Sequence, residues 1–258
     1  MEKFKNLEKR VIKLSSFALA FSGGVDSTLL LAVAKRLIPQ QIVAMTLSTQ
    51  FVPQSEIESA KKIADSIGVE HISIDENILE DENIVSNTMD RCYFCKKKMF
   101  SIIRDTAEKY GINNLVHGVN LDDLKEFRPG LKAAEELGFI SPFVQAGIAK
   151  KDIREISKQM GLDTWDKPSN SCLATRIAYN EKISFKKLVV VEKAETFLRD
   201  LGFNYIRVRC SGKTARIEVD PGQIVQFMDE TVRQKISKQF VKFGFKNTSI
   251  DMDGYQMT

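Results

Sequence analysis

The chain predicts an α/β protein: a parallel β-sheet with helices on both faces, followed by a small α+β domain. Three observations carry this. Strand-like and helix-like segments alternate through residues 2–160 of a 258-residue chain. Most of the strand-like segments are continuous apolar runs, as strands buried on both faces require. The connections between them are short, which suits a wound sheet.

Each element follows from its residues. Residues 2–14 place Phe4, Leu7, Val11 and Leu14 at helical spacing. SSFALAF (15–21) reads as a short buried strand. A helical pattern runs from Asp26 to Ile38, and Pro39 stops it. QIVAMTLST (41–49) is a second buried strand. Pro53 opens the next helix and Gly68 ends it, and EHISIDE (70–76) alternates as a third strand. A helix containing a CxxC pair runs to Tyr110, with Gly111 as its end cap. NNLVHG (113–118) is a fourth strand, and helices near 130–138 and 151–160 close at Gly138 and Gly161.

The loop WDKPSNSCLATRIAYNEKIS (165–184) breaks the alternation. It sets an expected boundary between domains 1–166 and 167–258, with the Cys172 loop in the second. Beyond it lie a helix at 184–201, strands at 204–210 and 214–219 joined by the turn CSGKT, helices near 221–240 and a final strand near 247–251.

Composition narrows the function. The net charge is +4, too balanced for a nucleic-acid arm, so a nucleic-acid partner is not expected. The first residues are charged and amphipathic, and nowhere do 18 apolar residues run together. The expectation is a cytoplasmic protein with no membrane partner. Its four cysteines, Cys92, Cys95, Cys172 and Cys210, then read as ligands or reactive thiols before disulfides.

Chemistry enters at SGGVDS, Ser22 to Ser27, between the first strand and its helix. A strand, a glycine-rich turn and a helix start bring backbone N–H groups and a positive dipole end to one point, where phosphate binds. Gly23 and Gly24 permit close approach, Ser22 and Ser27 add hydroxyls, and Val25 begins the helix. Asp26 is badly placed to face phosphate alone and implies a magnesium ion between them. The Lys of a Walker loop is missing, and the spacing is not GxGxxG. The pattern is the SGGxDS signature of the PP-loop ATP pyrophosphatases. That resemblance implies a Rossmann-like, adenine nucleotide alpha hydrolase-like fold. It also implies adenylation of a substrate oxygen by ATP, with pyrophosphate leaving, before ammonia or a sulfur species displaces AMP.

RCYFCKKKMF (91–100) puts Cys92 and Cys95 on one face of a helix start, among Arg91, Lys96, Lys97 and Lys98. These cations suit thiolates and anionic cofactors. No second CxxC and no His pair completes a zinc site nearby. Cys172 lies in the loop leaving the sheet domain. Three thiolates would leave one iron of a [4Fe-4S] cluster open to an extra sulfide. Structural zinc and a redox dithiol are the alternatives.

Five segments together resemble the LarE sulfur transferases: SGGVDS, RCYFCK, HGVNLDDLKEFRPGLKAAEELG (117–138), KPSNSCLATRI (167–177) and YIRVRCSGKTARIEV (205–219). The resemblance implies an ATP-dependent, AMP-forming sulfur transferase; the alternatives are a cluster-dependent tRNA thiolation enzyme and an ammonia-dependent PP-loop ligase, which would not need the three cysteines. The substrate of the sulfur transferase would be a pyridinium dicarboxylate mononucleotide, converted to a thiocarboxylate for the nickel-pincer nucleotide cofactor. Family members with only the cysteine matching Cys172 sacrifice its sulfur. Those with the CxxC as well hold a [4Fe-4S] cluster on three cysteines. This chain resembles the second type, which makes Cys92, Cys95 and Cys172 its metal ligands and requires a sulfide source. A homo-oligomer, often a hexamer, is also implied.

The remaining site residues follow. Cys172, Asp26 and Arg176 are expected to be catalytic. Gly118, at a strand end, and Arg128, before Pro129-Gly130, join Ser22–Ser27 in binding ATP, with Asn120 and Asp123 organising the loop between them. Asp122 and Asp123 equally suit a helix N-terminus. Arg207 and Arg209 share one strand face, which suits a phosphate, and Glu218 either pairs with them or binds metal. Cys210 reads as a small buried apolar residue, and His71 and His117 as structural histidines.

Overall fold

The computed structural model describes residues 2–38, 41–125, 128–168 and 171–256. Its elements run α1 (Glu2–Leu14), β1 (Phe17–Ala20), α2 (Val25–Leu37), β2 (Ile42–Ser48), α3 (Gln54–Ile67), β3 (Glu70–Asp75), α4 (Glu82–Val85), α5 (Arg91–Lys109), β4 (Leu115–His117), α6 (Pro129–Glu136), α7 (Pro142–Ala146) and α8 (Lys150–Gln159). They continue as α9 (Phe185–Asp200), β5 (Arg207–Ser211), β6 (Thr214–Glu218), α10 (Glu230–Phe243) and β7 (Asn247–Ile250). Two compact units emerge: Met1–Ile78 with Asp90–Lys167, and Leu79–Met89 with Pro168–Thr258.

The first unit is built on a four-stranded sheet, order β3-β2-β1-β4, with every pair parallel. The apolar runs are explained by its two cores. Phe17 and Leu19 of β1 and Ile42 and Ala44 of β2 face α1, α2, α7 and α8. Ala18, Val43, Met45 and Leu47 face the opposite way, onto α5 and α6. Alternate residues of one strand therefore enter different cores, and neither face can be polar. β3 is an edge strand, and its burial alternates from Ile72 to Asp75.

The α/β class, the parallel sheet and the element order agree with the expectation. α2 ends at Leu37, while Pro39, expected to stop it, lies outside the described residues. Gly68 closes α3 at φ 76°, where its N–H reaches the Ala64 and Asp65 carbonyls. α7 was not expected. Pro142 starts it and Gly147 ends it, so it is too short to show a helical period.

The second unit carries a three-stranded sheet, order β5-β6-β7, with β5 and β6 antiparallel and β6 and β7 parallel. Residues 221–228 form a 3₁₀ helix where an α-helix was expected, and α10 follows it. The segment Leu79–Met89 is tied into this unit by Asn87. That side chain is fully buried and donates to the carbonyls of Ile177, Ala178 and Glu181.

Candidate functional site

In the first unit, the glycine-rich turn lies beyond the carboxyl end of β1, at the N-terminus of α2. Gly24 is the N-cap residue, in extended conformation, and no side chain caps the helix there. The first N–H groups of α2 are thus presented at the turn. Gly23 is required twice over. Its φ is +66°, and a Cβ there would come within 3.0 Å of the Ala60 Cα in α3. The Ser22 and Ser27 hydroxyls meet at 3.2 Å, and the Gly24 N–H donates to Ser22 Oγ at 3.4 Å.

Gly118 packs tightly where the sequence expected a close approach to nucleotide. A Cβ there would sit 3.1 Å from the Ser27 nitrogen and 3.3 Å from the Asp26 Cβ. The missing side chain lets the end of β4 pack directly on the first turn of α2, which fixes the phosphate turn.

Asp26 is the hub of a polar network. Asn120 Nδ2 donates to one carboxylate oxygen at 3.2 Å, and Lys150 Nζ donates to the other. Asn120 is itself held, its N–H donating to Asp123 at 2.9 Å. Burial pushes the Asp123 carboxyl pKa up, against the pull of that N–H and of Arg128. Arg128 pairs with Asp123 at 2.7 Å, so it is anchored to this loop. Asp122 accepts from the Lys150 N–H at 2.9 Å and so fixes the start of α8.

Two lysines at the phosphate turn escaped the sequence reading. One is Lys150. The other is Lys167, which donates to the Gly23 carbonyl at 3.2 Å and pairs with Glu56 at 3.0 Å. Only the position of Lys167 before Pro168, inside a segment already singled out, signalled it. Lys150 had no signal, because a lysine at a helix start looks like any surface charge.

Cys92 and Cys95 occupy the first turn of α5, both half-buried and outside any disulfide. Arg91 donates to Cys92 Sγ at 3.4 Å, and Cys95 Sγ lies 3.6 Å from Met99 Sδ. Gly130 lets α6 approach closely, since a Cβ there would meet Lys96 Cγ at 2.8 Å and the Cys92 carbonyl oxygen at 3.4 Å. Among the described residues, no three His, Cys, Asp or Glu side chains gather as a metal site. His117 is buried beside Ser141 Oγ at 2.6 Å, and burial, with Lys96 adding to it, takes its pKa down to about 4. His71 meets Thr46 Oγ1 at 2.8 Å. Both histidines are satisfied within the fold.

In the second unit, Cys172 is a free, half-buried thiol at the start of a 3₁₀ turn, Leu173–Arg176. Arg176, expected to be catalytic, has a different place. Its side chain is 1% exposed and pairs with Glu195 through Nε at 2.9 Å. Its Nη1 donates to the Ser171 and Cys172 carbonyls at 2.6 and 3.0 Å. The guanidinium holds the backbone that carries Cys172. Breaking such a pair strands a buried charge, so Glu195→Gln should cost about 3–5 kcal/mol in urea unfolding. A loss below about 1 kcal/mol would show that the pair does not organise this turn.

The paired arginines of β5 also differ from one another. Arg209 is held bidentately by Glu218, at 2.9 and 3.0 Å, and donates to the Thr175 carbonyl. Burial alone would lower the Arg209 pKa, but Glu218 more than offsets it and the net shift is upward. Glu218 also pairs with Arg216 at 3.2 Å, so the ion-pair alternative describes it here. Arg207 is buried, and desolvation, with the Arg176 charge adding to it, pushes its pKa down. Both arginines line a cavity of about 300 Å³ together with Ser171, Glu218 and the C-terminal residues. Cys210 is buried and its thiol pKa is raised by that burial, in keeping with a packing role.

Known proteins sharpen this picture. Residues 6–100 match the asparagine synthase family model, which covers the phosphate turn. An uncharacterised Synechocystis protein is 39% identical over 98% of this chain and 95% of its own length. One from Methanocaldococcus jannaschii is 33% identical over 98% and 96%. The pyridinium-3,5-bisthiocarboxylic acid mononucleotide synthase of Lactiplantibacillus plantarum is 30% identical over 94% of this chain and 88% of that protein. With a phosphate turn of the PP-loop type and a match along nearly the whole length of both proteins, the chain belongs to the LarE family.

Proposed function

We propose that the protein is an ATP-dependent sulfur transferase acting on a pyridinium dicarboxylate mononucleotide, in synthesis of the nickel-pincer nucleotide cofactor. The observation that carries this is the Ser22–Ser27 turn, an anion site formed at the N-terminus of α2 with Asp26 and two lysines around it. The identity to the Lactiplantibacillus synthase supports the choice of substrate and product.

In this reading the β- and γ-phosphates of ATP lie against the α2 N-terminus and the Ser22 and Ser27 hydroxyls. Asp26 would hold a magnesium ion there, which would screen the phosphate charge, and Lys150 turns from Asp26 to the phosphates. Lys167 keeps Gly23 in its left-handed turn. The substrate carboxylate oxygen attacks the α-phosphorus, and pyrophosphate leaves. A sulfide then attacks the acyl carbon of the adenylate, AMP leaves, and a thiocarboxylate results. In the second unit, Arg207 and Arg209 receive the phosphate of the mononucleotide.

Cys92, Cys95 and Cys172 are the proposed ligands of a [4Fe-4S] cluster. The donor chemistry fits, because all three are half-buried cysteines outside any disulfide and two share one helix turn beside Arg91. Bound there, such a cluster supplies an iron without a protein ligand, on which a sulfide can be held. The deciding test of the overall function is incubation of purified protein with ATP, magnesium, sulfide and the dicarboxylate mononucleotide. Mass spectrometry should find a thiocarboxylate product, with one pyrophosphate and one AMP released per sulfur inserted. Hydrolysis of ATP with only unmodified substrate recovered would sink the proposal.

A further inference from the structure

One helix of the first unit, α8, serves both lysines of the phosphate turn. Lys150 is its first residue and reaches Asp26 directly. Arg154 follows one helical turn later, on the same face. Its guanidinium grips the segment that leads away from α8. Nη1 donates to the Trp165 carbonyl at 2.8 Å, and Nη2 donates to the Lys167 carbonyl at 3.0 Å. The segment is also closed on itself. The Trp165 N–H donates to the Leu162 carbonyl and the Lys167 N–H to the Thr164 carbonyl, each at 3.1 Å. The Lys158 ammonium stands 4.5 Å from the Trp165 ring centroid, a second hold from the same helix.

That grip takes effect at the far end of the Lys167 side chain. Lys167 Nζ donates to the Gly23 carbonyl at 3.2 Å and to Glu56 at 3.0 Å. Glu56 lies in the first turn of α3, one turn before Ala60, the residue that a Gly23 Cβ would strike. The lysine therefore pins the left-handed glycine of the turn to α3. A lysine stem is flexible, so it keeps one such place only when its backbone is fixed. A planar guanidinium fixes it well, because its two terminal nitrogens meet two carbonyls at a set spacing that a single ammonium nitrogen does not reproduce.

We propose that Arg154 is a positioning residue for ATP binding: it fixes the backbone of Lys167 and, through Lys167, the conformation of Gly23. This rests on the reading of Ser22–Ser27 as the seat of the ATP phosphates. The test is calorimetric binding, with magnesium, of an ATP analogue whose α- and β-phosphates are joined by a methylene group. Wild type, Lys167→Met, Arg154→Ala and the double variant are compared. Each single substitution should weaken binding about tenfold, the size of one hydrogen bond from a charged donor. The double variant should also stand about tenfold below wild type, because the arginine acts through the lysine and the two losses do not add. An arginine that only supports the fold would give the additive result. Unchanged binding in either single variant, or a loss of about a hundredfold in the double, would overturn the inference. If Arg154→Ala does not fold, Arg154→Lys, which keeps the charge and gives up the fork, replaces it in the same cycle. It should weaken binding about three- to tenfold alone and add nothing once Lys167 is replaced. A wild-type chain that does not bind the analogue would overturn the phosphate-site reading itself.

Discussion

Asp26→Asn should lower pyrophosphate release about a thousandfold at saturating ATP, the range seen when a charge-stabilising group is taken from a transition state. Asp26 sits in the first turn of α2, within the positive end of the helix dipole, where a carboxylate is favoured but a phosphate would compete. A metal ion between them removes the competition. The contacts to Asn120 and Lys150 hold the carboxylate in one orientation, so an amide at the same place keeps the shape and loses the charge. Lys150→Gln should cost less, about 10–100-fold, because the backbone N–H groups still hold the phosphates. Its defect should show in kcat more than in ATP affinity, if Lys150 meets charge that grows as pyrophosphate leaves. Asp26→Asn turning over within tenfold of wild type, at any magnesium concentration, would mean that the carboxylate does not hold the metal.

How much of this was legible in the residues depends on what each one does. Continuous apolar runs at 17–20 and 42–48 announce a sheet covered on both faces, because no other surrounding accepts them. SGGVDS announces its turn because only glycine tolerates φ +66° against the Ala60 backbone. Partnerships across the chain are another matter. Lys150 and Asp26 are 124 residues apart, and Asn87 and Ile177 are 90 apart, so neither pairing leaves a local trace. Arg176 has a partner that its place in the sequence does not reveal. It stands beside Cys172 in the chain, yet Glu195 draws its guanidinium into the interior.

The cysteines divide the two kinds of sulfur transfer, and substitution separates them. Anaerobically reconstituted protein should carry about four irons and four sulfides per chain, with a broad visible absorption. Cys92→Ala, Cys95→Ala and Cys172→Ala should each lose most of that iron, because a cluster with two thiolates has two irons exposed to solvent. Cys210→Ala is the control. Its thiol is buried and held protonated, so its loss should leave the iron content untouched. Cys92 and Cys95 belong to one unit and Cys172 to the other, so a shared loss is a demanding result: two separate thiol sites would respond separately. Multiple turnovers with added sulfide, and an unchanged protein mass afterwards, should accompany the cluster. Zinc or no metal in reconstituted protein would remove the cluster from the mechanism. Cys172 would then be the sulfur donor itself, and each chain should lose the mass of one hydrogen sulfide after a single turnover.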